Sequence, residues 1–594
     1  MNNTIALKSP FADLIKGDFS SLSECSSYEW EGTKMFLNGR FYDSDPLTVL
    51  KNFRKNGPGI LKNTDGDYVL IIIDNAIISI IRDRHGVGRQ IFYTNDYFST
   101  DLFDFSKLND FECKPNTEAL MTFLSIGYIP SPQSSLLGVN KLGAGNMLTL
   151  KNGNLTVTDL YPAADYMKNV STCKLTVDQA IEEYESLHKK AIKSRIGNQK
   201  RIGLLLSGGY DSGGNISALR DVYDGHVSSF SIGFKNNRWT ELPLAKLLSE
   251  RYNSSHYDYE IDGSEILNLP KIIAVTGDPF QEGGLMVNYT AMELVRKSNE
   301  KPDLILGGDG NDQHFGTSGK ELALHWKLKQ NGGRIFQKLF DTAGNLSMFD
   351  NDNILFRTEF HNRKILHIQE CDVFGFTQYQ VNKLNNAGIK TAEFAYLKNH
   401  PKNFKNFDDF FFNRNFNIDI KQVINEVILY KSSRMGELFN NNISFPYMSS
   451  DLYQFLNTLP VDFKFHGTTD DLSKGKGVSK YLHKKYLKPK LPAEITDRKK
   501  QGGFAPLPIF LNDDTQRKML FTFLRKSELV KQMFKPKAID QLLNQYDTSV
   551  KSESYWFWFQ QVKANQIINL LTLAVWWEMF FNGKRDIKSI TELL

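Results

Sequence analysis

Apolar and polar residues alternate in short runs from about residue 28 to 160, a period of two that predicts strands. Met35-Phe36-Leu37, Tyr68 to Asp74, Ala76 to Ile81 and Gln90 to Tyr93 are separated by Asn-Gly, Asp-Gly and Gly-x-Gly turns. A further strand, Asn146 to Lys151, runs into the hairpin signal Asn152-Gly153. A polar connection is expected over 163–178. From 178 the period becomes helical and then alternates. The order is helix, apolar strand from Arg201, helix about Gly214 to Val222, strand Val227 to Phe234, helix Glu241 to Tyr252, and later strand Leu304-Ile305-Leu306. Such alternation predicts a parallel sheet with helices on both faces. The region after about 320 reads as largely helical. Its apolar stretch Ile567 to Phe581 is interrupted by Asn569 and Glu578 and predicts a buried helix rather than a membrane span. The run Phe410-Phe411-Phe412 fits a helix packing into the core, or else a partner or substrate surface.

A chain of 594 residues exceeds one ordinary core, so two or more domains are expected. Hydrophobic content of 41% is ample to fill them. Seventy-two basic against 67 acidic residues leave a net charge of only +5, which argues against a dedicated nucleic-acid binder. The basic spots are Lys484-Lys485 and Arg498-Lys499-Lys500. Cys25, Cys113, Cys173 and Cys371 lie far apart without metal-ligand spacing and read as reduced structural thiols of a cytoplasmic protein. The first residues lack the basic-then-apolar pattern of a secretory signal.

The chemistry concentrates where the strand from Arg201 ends, in Ser207-Gly208-Gly209-Tyr210-Asp211-Ser212. Glycines there let successive backbone N–H groups face an anion, and the helix that follows adds its positive end. Ser207 and Ser212 can donate to phosphate oxygens, and Asp211 can hold a divalent cation. No Gly-Lys-Ser/Thr follows, so this is not the common NTPase loop. An ordinary strand-to-helix turn is the alternative.

These six residues match the Ser-Gly-Gly-x-Asp-Ser loop of ATP-pyrophosphatases, and the chain as a whole resembles the asparagine synthetase superfamily. Asn38-Gly39-Arg40-Phe41-Tyr42, Asp65-Gly66-Asp67-Tyr68 and Arg82-Asp83-Arg84-His85-Gly86-Val87-Gly88 resemble elements of its amidotransferase half. The resemblance implies two domains. One, 1–165, is an Ntn-type layered β-sandwich with helices (αββα); the other, 178–594, is α/β, a doubly wound parallel sheet with a helical C-terminal portion. The amidotransferase half needs an N-terminal cysteine, whereas Met1 is followed by Asn2 and the first cysteine is Cys25. Glutaminase activity is therefore not expected, and Asn38, Gly39 and Arg82 become structural turn residues.

Gly307-Gly308-Asp309-Gly310-Asn311-Asp312-Gln313-His314-Phe315-Gly316 resembles the family's Ser-Gly-Glu-Gly-x-Asp-Glu-x-Phe-Gly. The likeness implies Mg²⁺ held by Asp211 and Asp312, with Asp309 near the reacting carboxylate. It implies ATP on Ser207, Gly208, Gly209, Asp211, Ser212 and Gly308, with adenine near Leu205 and Ile232. Pro446-Tyr447-Met448 resembles Pro-Phe-Leu, with Asn442 where the family has Glu. Asp497 to Phe504 resembles the Arg-x-Lys-Gln-Gly-Phe segment and makes Lys500 the catalytic cation, with Lys499 as fallback. The departures at Asp309, Gln313 and Asn442 fall where substrate specificity is expected.

The activity this implies is an ATP-dependent carbon–nitrogen ligase that adenylates a carboxylate, releases pyrophosphate, and passes the acyl group to an amine. The lasso-peptide macrolactam and β-lactam synthetase type, acting on a small carboxylate or a precursor peptide with a processing protease as possible companion, is one reading. A diverged, ammonia-dependent asparagine synthetase is another, and a non-catalytic scaffold a third.

Overall fold

The computed structural model describes residues 6–330, 335, 351–366, 374–386, 388–389, 403–498 and 505–594. Near the N-terminus a pair of antiparallel sheets face each other. The larger runs in the order Asn154–Asp159, Asn146–Lys151, Ile77–Arg82, Gly66–Asp74, Thr33–Phe41, Ser26–Trp30. The smaller runs Lys8–Pro10, Tyr97–Ser99, Ile91–Tyr93, Asn140–Leu142. Strand alternation sorts the side chains into two layers. Phe36, Val69, Ile71, Ile73, Ile78 and Ile80 pack towards Ile91, Phe98 and Leu142 of the smaller sheet. Met35, Leu37, Leu70, Ile72 and Ile81 pack on Val49 and Leu50 of the helix Pro46–Asn56. Asp45 starts that helix by accepting from Thr48 N, with Pro46 in its first turn. The helix Thr117–Ile126 completes an αββα arrangement and belongs to the core shared with the C-terminal region.

The C-terminal region is built on five parallel strands in the order Ser255–Ile261, His226–Phe234, Arg201–Leu205, Leu304–Leu306, Ile443–Ser444. Chain order reverses between Arg201–Leu205 and Leu304–Leu306. In open α/β sheets the crevice beyond the carboxyl ends of such a pair is where ligands bind. The 24-residue helix Phe557–Phe580 is almost wholly buried, as its apolar sequence predicts. It fastens the two regions together. Phe580 stacks on Phe103 at 4.3 Å and Asn569 Nδ2 donates to Leu124 O at 3.3 Å, while within the C-terminal region Trp576 Nε1 donates to Gly277 O at 2.9 Å. Among the described residues no helix is long and apolar enough to cross a membrane. Phe410, Phe411 and Phe412 are buried, so the aromatic run is core.

Two sequence expectations are corrected. The connection over 163–178 contains a helix, Ala163–Asn169, because Pro162 initiates it and Tyr166 buries itself against Phe416. Asn38 and Gly39 sit inside the strand Thr33–Phe41 rather than in a turn, paired with Val69 and Tyr68. Gly39 has φ +114°, and a Cβ there would collide with the carbonyl oxygen of Asp67, so glycine serves a close strand approach. Arg82 does act structurally, donating to Gln90 Oε1 and to the carbonyls of Leu142, Gly86 and Gly88.

Candidate active site

The strand Arg201–Leu205 delivers the loop Leu206–Gly209, and the helix Tyr210–Arg220 starts directly after it. Asp211 and Ser212 therefore lie in the first helical turn, earlier than the helix start near Gly214 read from sequence. The loop closes on its hydroxyls. Ser212 Oγ donates to Ser207 O at 2.9 Å, Ser207 N donates to Ser212 Oγ at 3.1 Å, and Gly209 N donates to Ser207 Oγ at 3.3 Å. A side chain at Gly208 would collide with Leu244. The second loop, after Leu304–Leu306, packs on the first: a Cβ at Gly308 would stand 3.2 Å from Ser212 N. Asn215 Nδ2 ties the two by donating to Gly307 O at 2.9 Å. Tyr447 OH donates to Asp211 O at 2.8 Å, which brings the Pro446-Tyr447-Met448 segment to the same place.

Between the loops lies a charge cluster. Lys480 Nζ donates to both carboxylate oxygens of Asp211, at 2.9 and 2.7 Å, and pairs with Asp312. Asn311 Nδ2 donates to Asp211 Oδ1 at 2.6 Å, and Tyr184 OH donates to Asn311 Oδ1 at 3.0 Å. His483 Nε2 stands 3.2 Å from Asp211 Oδ1. Burial works against the Lys480 charge, but the Asp211 and Asp312 carboxylates outweigh it and raise the ammonium to about 12. Burial holds His483 below the usual imidazole range, an effect the Asp211 carboxylate only partly offsets. Lys480 has φ +53° and ψ 42°, a left-handed conformation a lysine rarely adopts. Backbone strain of this kind gathers at functional sites, and here it sets an ammonium between two carboxylates.

Asp309 lies beside that cluster with hydrogen-bond partners of its own. Ser432 Oγ donates to its Oδ2 at 2.8 Å, and Asn288 Nδ2 donates to Ser432 Oγ at 2.5 Å. Lys431, paired with Glu282, lies beside it. Burial raises the Asp309 carboxyl above its usual range, opposed by the Lys431 ammonium and the Ser432 hydroxyl.

The structure thus gathers Ser207, Gly208, Gly209, Asp211, Ser212, Gly308, Asp309 and Asp312 at the switch point. Leu205 and Ile232 lie at the carboxyl ends of adjacent strands, both half-buried. Arg498 Nη2 donates to Gly208 O at 3.1 Å and pairs with Glu241 at 2.6 Å. Lys499 and Lys500 lie outside the described residues. Asn442 does not belong to the site. Its Nδ2 donates to Asp303 O and its carbonyl accepts from Ile305 N, contacts at the amino end of the sheet, opposite the loops. Gln313 is buried in the short helix Asn311–Phe315 and its carbonyl accepts from Asn415 Nδ2 at 2.6 Å. Sequence reading missed Lys480, Asn311, His483, Ser432, Lys431 and Glu282.

Among the described residues no group of three or more His, Cys, Asp or Glu gathers as metal ligands. Asp211 and Asp312 nevertheless converge on one cationic point, now served by the Lys480 ammonium. Two carboxylates with room for phosphate and water oxygens are a donor set that fits Mg²⁺.

Residues 183–578 match the asparagine synthase family, and residues 37–161 match the glutamine amidotransferase domain. A Methanocaldococcus jannaschii protein named "Putative asparagine synthetase 2" (glutamine-hydrolyzing) is 28% identical over 286 residues, 46% of this chain and 53% of that one. The chain therefore spans about half the length of that relative. Glutamine-hydrolyzing asparagine synthetase 1 of Bacillus subtilis is 21% identical over 531 residues, covering 82% of this chain and 78% of its own. A solved B. subtilis glutamine phosphoribosylpyrophosphate amidotransferase complexed with ADP and GMP is 10% identical, with a TM-score of 0.16. It covers 48% of this chain and 63% of its own, and at that score it carries no argument. With two thirds of its length inside the first match, the chain belongs to the asparagine synthase family.

Proposed function

We propose that this chain adenylates a substrate carboxylate with ATP and joins the acyl group to an amine carried by the substrate itself, as in macrolactam formation. The observation that carries the adenylation reading is the convergence of Asp211, Asp312 and Lys480 beside the Ser207–Ser212 loop at the switch point. A scaffold needs no such cluster.

The N–H groups of the Gly208–Ser212 turn hold the pyrophosphate end of ATP, with Lys480 compensating its charge. Asp211 and Asp312 would hold Mg²⁺, which when bound neutralises phosphate charge and eases departure of pyrophosphate. The substrate carboxylate attacks the α-phosphorus, and the amine then displaces AMP from the acyl carbon. Asp309, with its carboxyl raised by burial, is suited to take the proton from the amine. Lys500 is assigned to the charge that develops on the α-phosphate and acyl centre. Lys500→Ala then lowers the adenylation rate by about 10²–10³.

The amine is assigned to the substrate on the resemblance to macrolactam and β-lactam synthetases, and burial that pushes the Cys25 and Cys113 thiols up to about 11 disfavours either of those two as a glutamine-attacking thiolate. The names of the M. jannaschii and B. subtilis relatives, glutamine-hydrolyzing asparagine synthetases, favour a second reading in which asparagine is formed from aspartate, here with free ammonia in place of the glutamine those names print. ATP–pyrophosphate exchange tested against aspartate, amino-acid derivatives and candidate precursor peptides separates the two. Exchange with a peptide carboxylate supports the first; exchange with aspartate and asparagine formed from ammonia replaces it with the second.

A further inference from the structure

We propose that Asp67, Tyr42 and Ser444 form a latch through which the N-terminal sandwich positions the phosphate loop of the C-terminal region. Tyr42 OH lies 2.5 Å from Asp67 Oδ2 and 2.6 Å from Ser444 Oγ, and Ser444 Oγ donates to Asp67 Oδ2 at 3.3 Å. Two of the three residues come from the sandwich, while Ser444 ends the last strand of the parallel sheet. Ser444 is fully buried and leads directly into the site. It pairs with Leu306, and its carbonyl accepts from Gly307 N at 2.9 Å. The next residue, Gly308, packs against Ser212 of the phosphate loop with no room to spare. A shift at Asp67 therefore reaches Ser212 through one strand end.

A second contact braces the latch. Arg195, on the helix Val177–Ile196, donates to Asp65 at 2.9 and 3.2 Å and lies over the Tyr42 ring at 4.4 Å. The charges facing Asp67 are thus Arg195 from the helix, Asp83 from the neighbouring turn and Asp65 on its own segment, with Arg40 beside Tyr42. Burial foremost, with Asp83 and Asp65 adding, pushes the Asp67 carboxyl up to about 6 against the pull of Arg195 and Tyr42. Above that pH the carboxylate makes charge-assisted bonds to the two hydroxyls; below it the assistance is lost. Asp67 and Tyr42 are positioning residues, since neither touches the loop itself.

The inference rests on reading Ser207–Ser212 as an ATP site, and its test keeps the two apart. ATP affinity of the full chain is measured by calorimetry in excess Mg²⁺ from pH 5 to 8, for wild type, Asp67→Asn, Tyr42→Phe and Ser444→Ala. Wild type is expected to lose affinity by about threefold to tenfold as pH falls through about 6. Asp67→Asn is expected to bind with the weaker affinity throughout and to lose that step, and Ser444→Ala to weaken ATP binding similarly at pH 7.5. A protein whose latch is merely structural melts earlier but binds ATP with the wild-type pH profile in all three variants, which overturns the proposal. Wild type that binds no ATP at any pH overturns the ATP reading, and the latch with it. Ser444→Ala removes only a hydroxyl and keeps the test available if Asp67→Asn fails to fold.

Discussion

Two turns in this chain each carry two glycines and one aspartate and have opposite uses. Arg82–Gly88 and Ser207–Ser212 both follow a buried strand, and each carries a carboxylate just past its end. In the first, Asp83 accepts from the N–H groups of Tyr68, His85, Val87 and Gly88, and Arg82 donates to three carbonyls and Gln90. Asp83 spends its polar capacity on its own turn and the adjoining strand. In the second, the Asp211 carboxylate is turned away from its own loop to Lys480, Asn311 and His483 on remote elements, and its partner Asp312 keeps 40% of its side chain exposed. Locally satisfied polar groups make a structural turn. Polar groups gathered from afar, with charge left facing solvent, make a chemical one.

Removing each carboxylate breaks the comparison most sharply. Asp211→Asn is expected to lower ATP–pyrophosphate exchange by about 10²–10³ while the protein stays folded. Asp83→Ala should do the reverse. Four backbone N–H groups lose their acceptor, costing about 3 kcal/mol or more in urea unfolding, while exchange per folded molecule stays within a few-fold. Lys480→Met is expected to cost about 10² in exchange, somewhat less than Asp211→Asn, because Asp312 and bound cation still serve the phosphates. The Lys480 pair also has a pH signature. Its ammonium is raised to about 12, above its usual 10.5, so its stabilisation is complete below pH 10.5 and is lost as pH rises through 12. Alkaline melting curves should therefore show a step in that window that Lys480→Met lacks. Between the two regions, Arg195→Leu leaves Asp65 buried without its cation and should cost about 3 kcal/mol in unfolding, the range for breaking a buried pair. The smallest effect concerns Cys25. With its thiol pushed up to about 11 by burial, iodoacetamide labelling at pH 7.5 should be slow and should quicken steeply towards pH 10; fast labelling at pH 7.5 would reopen a nucleophile there.

Much of this was legible in the sequence where the signal is local. Leu304–Leu306 is read to the residue, and the turn Ser207–Ser212 between strand and helix is located from six consecutive positions, because a buried strand ending in glycines needs no distant partner to be recognised. Lys480 was not legible. It meets Asp211 across 269 positions and stands among other lysines at 474, 476, 484 and 485, with no pattern that marks it. Its left-handed backbone has no sequence signal either, since that conformation usually selects glycine or asparagine. Asn442 failed for the opposite reason. A family motif position maps onto it, but the strand that follows places it at the amino end of the sheet, away from the loops at the carboxyl end. Gly39 reads as a turn residue beside Asn38, yet its glycine serves the approach of one strand to Asp67, a contact only pairing register reveals.

The most direct test of the account is carboxylate-dependent ATP–pyrophosphate exchange in wild type and Asp211→Asn side by side, with folding of both verified by thermal melting. The account predicts exchange in wild type that requires one carboxylate, and a loss of about 10²–10³ in the variant. Exchange in Asp211→Asn within about threefold of wild type, well inside the loss expected for a charge stabiliser, would contradict the placement of adenylation at this cluster.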